Sequence, residues 1–375
     1  MEIGLEKTLV FLVFIFLGMG LKTKFKSSEE INGIKKIILN LALPATIFIA
    51  LLGIKVEVNL LLLPLMAVFL NVLLFAISPF LLPIVGVQKN TPSYRTARLL
   101  IPSLAPGLSC FPFVLEFLGE DYLAKAAMAD LGNKVFVLIV LYMVAMHWFY
   151  ARNQESRTGG KAKLLSLLKT LVTEPVNLFI GVALILLVLG FNMESLPFVI
   201  SDSLAKLSLM MTPLVLLFIG LAVKIKRQQF AEILSLLLLR AGLVFLISAV
   251  YVLVSGVSVQ SEILLMISFG LSACSFWPFA HLSLVDGVES EKKSKTFDSS
   301  YAVAILALSF PLSTVLILGV LNSGAVLGSP FNIFITGILL CALGAVFPLL
   351  KTLSKKASKL RLTSTKMETA ATERA

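Results

Sequence analysis

Gly107-Leu108-Ser109-Cys110-Phe111-Pro112-Phe113 and Gly270-Leu271-Ser272-Ala273-Cys274-Ser275-Phe276-Trp277-Pro278-Phe279 nearly repeat each other. Each reads Gly-Leu-Ser, then Cys, then Pro-Phe, inside an apolar segment long enough to cross a bilayer. A proline in such a segment removes a backbone donor and clashes with the carbonyl one turn back. In hydrocarbon that defect survives only where protein or a water-lined cavity surrounds it. Paired interrupted helices in corresponding halves of a chain point to the binding site of a transporter.

The rest of the chain supplies the setting. Of 375 residues, 58% are hydrophobic and 14% charged, and the mean hydropathy is +0.97. Spanning the hydrocarbon takes about 20 apolar residues in a helix, and many such stretches are present. The reading is an all-α, polytopic, integral membrane protein. Apolar spans are expected at 3–21, 33–54, 59–84, 97–118, 124–149, 171–190, 200–222, 230–254, 261–284, 299–321 and 329–350. The first has almost no basic region before it and no small-residue cleavage site, so it reads as a retained helix. Cys110, Cys274 and Cys341 all fall in apolar spans, which argues against a disulfide framework. The net charge of +11 does not imply nucleic acid, because the basic residues sit in short loops and a tail.

Those loops set the orientation. Basic residues follow spans 1, 3, 5, 7, 9 and 11, as in Lys22, Lys24 and Lys26, or Lys224, Lys226 and Arg227. The alternate loops are acidic or nearly free of lysine and arginine. Basic loops stay cytoplasmic, so the N-terminus is expected outside and the C-terminus inside, in the cell membrane. The Lys-rich tail, 351–375, is expected to lie against anionic lipid.

Spans 1–5 and 6–10 look like two copies of one unit. The Gly-Leu-Ser stretches fall in spans 4 and 9. Leu43-Pro44-Ala45 in span 2 matches Thr212-Pro213-Leu214 in span 7, and Asp130-Leu131-Gly132-Asn133 in span 5 matches Asp298-Ser299-Ser300-Tyr301 at span 10. Five is odd, so the second copy is inverted. Expected units are 1–150, 165–322, the extra helix 329–350 and the tail.

With Leu43-Pro44-Ala45-Thr46-Ile47-Phe48 in span 2 and prolines in spans 4 and 9, residues 1–321 resemble the auxin efflux carrier family of permeases, itself similar in fold to the bile acid:sodium symporters. The resemblance implies two broken helices crossing near the membrane centre with small organic anions bound beside them. Position by position it places the site at Ser109, Cys110 and Pro112 and at Ser272, Cys274, Ser275 and Pro278. It also implies that spans 1, 2, 6 and 7 form one bundle and spans 3–5 and 8–10 another.

Broken helices expose amides that attract anions and carbonyls that hold cations. The hydroxyls of Ser109, Ser272 and Ser275 suit a carboxylate; small residues that let helices approach are the other reading. Arg240, in the middle of span 8, must face the interior, because an arginine there costs about 2.5–3.5 kcal/mol on insertion scales. It is either the counter-ion of an anionic substrate or a structural partner of a carboxylate. Asp130 and Lys134 lie one helical turn apart, as a structural pair or, with Asn133, as the coupling site for H+ or Na+. No other cofactor and no metal-ligand spacing is expected. Expected partners are a small organic anion, the bilayer and, as one option, a second copy of the chain, but not nucleic acid. The function reads as secondary transport by alternating access, not enzyme catalysis. The alternatives are a cation/proton antiporter of similar plan, or a membrane-embedded sensor with a transporter-like core.

Overall fold

A computed structural model describes residues 2–25, 27–53, 58–153, 165, 169, 172–222, 229–289, 295–346 and 348. The tail expected to meet lipid, and most of the basic loop after span 5, lie outside the described residues. A helix occupies every one of the expected spans: α1 (Glu2–Leu21), α2 (28–53), α3 (Val58–Ile84), α4a (Pro92–Leu100) with α4b (106–118), α5 (120–153), α6 (Pro175–Val188), α7 (198–222), α8 (Phe230–Ser255), α9a (Gln260–Gly270) with α9b (Phe276–Val288), α10 (Ser299–Asn322) and α11 (Pro330–Val346). Among the described residues, six of these are long and apolar enough to cross a membrane unbroken, and α6 and α11 are shorter apolar helices. Large apolar side chains stand exposed along them, as at Phe16, Phe69, Val188, Leu209 and Phe331. The chain is an integral, multi-pass helical membrane protein, and those side chains face lipid.

The prolines act where the sequence puts them. Residues 38–42 of α2 form a π turn just before Pro44, and the Thr46 hydroxyl donates to the Ala42 carbonyl at 2.7 Å. In α7 the helix slips at Met210, just before Pro213. A proline's missing donor frees a carbonyl one turn back, and the local winding absorbs it.

The packing pairs α1 with α7, α6 with α2, α3 with α5, and α8 with both α9a and α10. The pairings of α1 with α7 and of α6 with α2 exchange under the swap of spans 1–5 for 6–10. Glycines set the closest approaches. A Cβ on Gly220 would lie 2.9 Å from the Gly18 Cα, so α1 and α7 touch backbone to backbone. On α11, Gly337, Cys341 and Gly344 form one stripe against Gly242 and Leu239 of α8, the small-residue packing used where lipid removes any hydrophobic drive between helices.

At the end with basic loops, the segment before α10 is tied to α4a. Asp298 caps α10, accepting from the Tyr301 N–H at 3.0 Å, the Ser300 hydroxyl at 2.8 Å and the Ser93 hydroxyl at 2.8 Å. Burial alone raises its pKa, but these hydrogen bonds outweigh burial and hold the carboxyl below its usual range. A depressed carboxylate stabilises the fold above its unfolded pKa, and that contribution fades as pH falls through the folded value. Asp298→Ala should cost about 1 kcal/mol, read as a lower melting temperature in detergent near neutral pH, with the gap to wild type closing on acidification.

Candidate functional site

Two helices are interrupted and meet. Residues 101–105 separate α4a from α4b, and 271–275 separate α9a from α9b. The Ala105 N–H donates to the Ala273 carbonyl at 2.8 Å, the Ala273 N–H to the Ser109 hydroxyl at 2.9 Å, and the Ser275 N–H to the Ser103 hydroxyl at 3.0 Å. These bonds stitch the two interruptions to each other.

Neighbouring helices satisfy further polar backbone groups. From α5, Asn133 donates to the Leu104 carbonyl at 3.0 Å and accepts from the Leu104 N–H at 3.3 Å. From α10, Ser309 accepts from the Cys274 N–H at 3.2 Å and Ser313 donates to the Leu271 carbonyl at 2.5 Å. Asn71 on α3 in turn donates to Asn133 at 3.0 Å. Every backbone N–H in both interruptions, other than Pro102 which has none, has an acceptor. That satisfaction is the condition for non-helical backbone at membrane depth.

Arg240 completes the arrangement. Its side chain is buried, with Nε donating to the Ile101 carbonyl at 2.8 Å and one terminal nitrogen to the Ser272 carbonyl at 2.9 Å and the Ser103 carbonyl at 3.4 Å. These carbonyls belong to the interruptions just past the C-terminal ends of α4a and α9a, where partial negative charge collects. Its hydrogen-bond partners are therefore backbone carbonyls, and the carboxylate that sequence offered as a structural partner is not among them.

The near-repeat that marks these helices is out of structural register. Gly107 lies beyond the first interruption, in α4b, whereas Gly270 ends α9a ahead of the second. The first crossing segment is Ile101-Pro102-Ser103-Leu104-Ala105, earlier than the expected Ser109, Cys110 and Pro112. Ser109 still reaches the crossing through its hydroxyl, and Cys110 marks a second irregularity between residues 106–109 and 111–118. Pro112 is buried in the first turn beyond it. Ser272, Cys274 and Ser275 lie in the second interruption and Pro278 just inside α9b. Likewise Asp130 does not match Asp298: Asp130 lies ten residues past the first residue of α5, as Ser309 does in α10, while Asp298 is a helix cap. Asp130 thus sits deep beside the crossing, not near the end of its span.

A cavity of about 550 Å³ borders the crossing at the end where α2, α6 and α8 begin. The starts of α4b and α9b line it, through Pro106, Gly107, Ser275 and Phe276, with Trp277 and Ala304 beside them. Helix-terminal amides therefore border a largely apolar space that also carries charged side chains on its wall. Of the residues singled out from sequence, Ser275, Asp130, Asn133 and Lys134 line it; Ser109, Cys110, Pro112, Ser272, Cys274, Pro278 and Arg240 stand behind it.

Two lining charges, Lys35 and Glu174, escape a reading from sequence alone. Lys35 of α2 holds its Nζ 4.5 Å from the centre of the Phe276 ring. Lys134 Nζ lies 3.6 Å from Asp130 Oδ2, 3.3 Å from Glu174 Oε1 and 3.0 Å from Asn177 Oδ1. Glu174 and Asn177 belong to the start of α6, so this cluster joins α5 to a helix of the other expected bundle. The signal for Glu174 was present as an acid followed by Pro175 in an otherwise basic stretch; Lys35 was hidden among the loop lysines.

Interrupted helices meeting beside a cavity inside a multi-pass helical bundle define a transporter-like membrane protein. Over 233 residues, 61% of this chain and 71% of the relative, the sequence is 25% identical to an uncharacterized transporter of Methanocaldococcus jannaschii. No family model matches the chain.

Proposed function

We propose that the protein is a permease resembling the auxin efflux carriers, which moves a small organic anion by alternating access. The observation that carries this reading is the crossing of 101–105 with 271–275 against a cavity bordered by two helix starts. Such starts favour negative charge, Lys35 and Lys134 add cationic groups, and the apolar lining accepts a hydrophobic body. Ser275 is the hydroxyl at the site, while Ser109, Cys110, Pro112, Ser272, Cys274, Pro278 and Arg240 shape the crossing behind it. Asp130, with Asn133 and Lys134, is the coupling group. The basic loops are cytoplasmic, so this cavity opens inward, the N-terminus is outside and the C-terminus inside.

A second cavity of about 770 Å³ lies at the opposite end, lined by Glu6, Lys7, Phe11, Glu116 and Glu120. Leu43 lines the first cavity and Ile49 the second, and six residues of helix rise about 9 Å. So thin a barrier suits a pathway opened alternately from each side, with the bundle of α1, α2, α6 and α7 rocking against that of the third to fifth and eighth to tenth spans.

Uptake of labelled benzoate, hexanoate and glutarate into proteoliposomes tests the reading. Wild type is expected to carry at least one, and Ala304→Phe, which fills the cavity, should reduce that uptake at least tenfold (about 1.4 kcal/mol). Uptake of none, or undiminished uptake by the filled variant, removes the site from this cavity.

A further inference from the structure

The geometry points to a proton, taken up on a carboxylate of the Asp130–Lys134–Glu174 cluster that joins the two bundles, as the ion that accompanies the anion. This rests on the anion-permease reading above and adds to it the identity of the coupled ion and a second carrier residue, Glu174.

Lys134 offers three ammonium protons, and three acceptors surround it: Asp130 Oδ2, Glu174 Oε1 and Asn177 Oδ1. The place between the two carboxylates, where a bound metal cation would sit, is already filled by that ammonium. The outer oxygens are engaged as well, Asp130 Oδ1 by the Asn133 amide at 2.8 Å and Glu174 Oε2 by the Asn177 amide at 3.3 Å. Two carboxylates and one ammonium leave a single negative charge, in a compact group where a proton on a carboxylate oxygen is the smallest compensation.

Across the cavity Lys35 carries the balancing positive charge, above the Phe276 ring. The groups around the cluster are Lys134 and Asn133 on α5, Glu174 and Asn177 on α6, Asn71 on α3, the Cys110 thiol on α4 and Lys35 on α2. With the cluster at minus one and Lys35 at plus one, the cavity is neutral and an entering monoanion leaves it charged. With one proton on the cluster it holds one positive charge, and a monoanion neutralises it. Proton and anion therefore bind together, since an uncompensated charge at membrane depth is disfavoured. The step is a protonation alone: H+ from water joins a carboxylate oxygen and leaves on the other side.

The test uses the full chain with Trp148→Phe, leaving Trp277 in the cavity wall as the sole tryptophan. Its fluorescence is titrated with benzoate, hexanoate and glutarate between about pH 5 and pH 8, a range in which each probe carries carboxylate charge. Expected is affinity for the monoanions that falls nearly tenfold per pH unit toward the alkaline end. Glu174→Gln, whose cluster is permanently neutral, should bind them at high pH as tightly as the parent does at low pH. In ligand-free protein, infrared difference spectra should show a protonated-carboxyl band appearing on acidification and absent from Glu174→Gln. Monoanion binding that is flat with pH, or a Glu174→Gln variant that keeps the parent's pH slope, overturns the proton proposal while leaving the permease reading. Binding of no probe at any pH overturns both.

Discussion

Arg240→Leu should unfold the centre of the molecule. The side chain donates to carbonyls of both interrupted helices, and hydrogen bonds to a charged group contribute about 1.5–3 kcal/mol each. Leucine recovers the cost of placing an arginine at mid-membrane, about 2.5–3.5 kcal/mol, but leaves three buried carbonyls without a donor. The losses outweigh the gain, and a net destabilisation of about 3 kcal/mol is expected. The measurement is the melting temperature in detergent, together with transport in proteoliposomes. Arg240→Lys retains the charge but not the planar fork that spans two helices, so it should fall between wild type and leucine. A leucine variant that melts and transports like wild type would show that the crossing holds without its cation.

Gly132→Ala is expected to be nearly as damaging, although it adds one methyl group. Gly132 on α5 lies against the backbone of Pro64 on α3, and a Cβ there would stand 2.6 Å from the Pro64 carbonyl carbon and 2.8 Å from its Cα. Backbone cannot step aside as a flexible side chain does, so α3 and α5 must separate. Overpacking of this kind costs about 1–3 kcal/mol, and the rigidity of both partners places the substitution at the upper end. The damage also travels. Asn133, the next residue, holds Leu104 of the crossing, and Lys134 holds Glu174. Loss of anion uptake is therefore expected even in the fraction that folds, measured as uptake per folded molecule after size-exclusion chromatography. Gly181, which has open space around it, is the control: Gly181→Ala should change neither quantity.

Helix number and placement were legible because they depend on local chemistry. Runs of apolar residues mark the spans, lysines and arginines mark alternate loops, and Pro44 and Pro213 mark distortions that the helices do adopt. The interruptions of the fourth and ninth spans were legible as events but not as positions. The near-identical Gly-Leu-Ser stretches drew attention to Ser109 and Pro112, whereas Pro102-Ser103-Leu104-Ala105-Pro106, with two prolines four residues apart, is where the helix stops. Two prolines remove two donors within one turn, a stronger breaker than one proline near a helix start. The pairing of Asp130 with Lys134 was readable from their spacing on one helix face; their tie to Glu174, forty residues on, was not.

The amino-acid sequence by itself determined that this is a helical membrane protein of many spans, with basic and non-basic loops in alternation and two of its helices broken. Propensity, hydropathy and the missing proline donor act over a turn or two, so each of these needs only neighbouring residues. Tertiary structure alone decided what the polar groups do. Arg240 finds the Ile101 carbonyl 139 residues away, Ser103 meets Ser275 across 172, and Lys35 lies above the Phe276 ring beside a cavity that neither segment forms alone. Such partners are chosen by which helices pack together, because at membrane depth a polar group must be satisfied by whatever protein lies beside it.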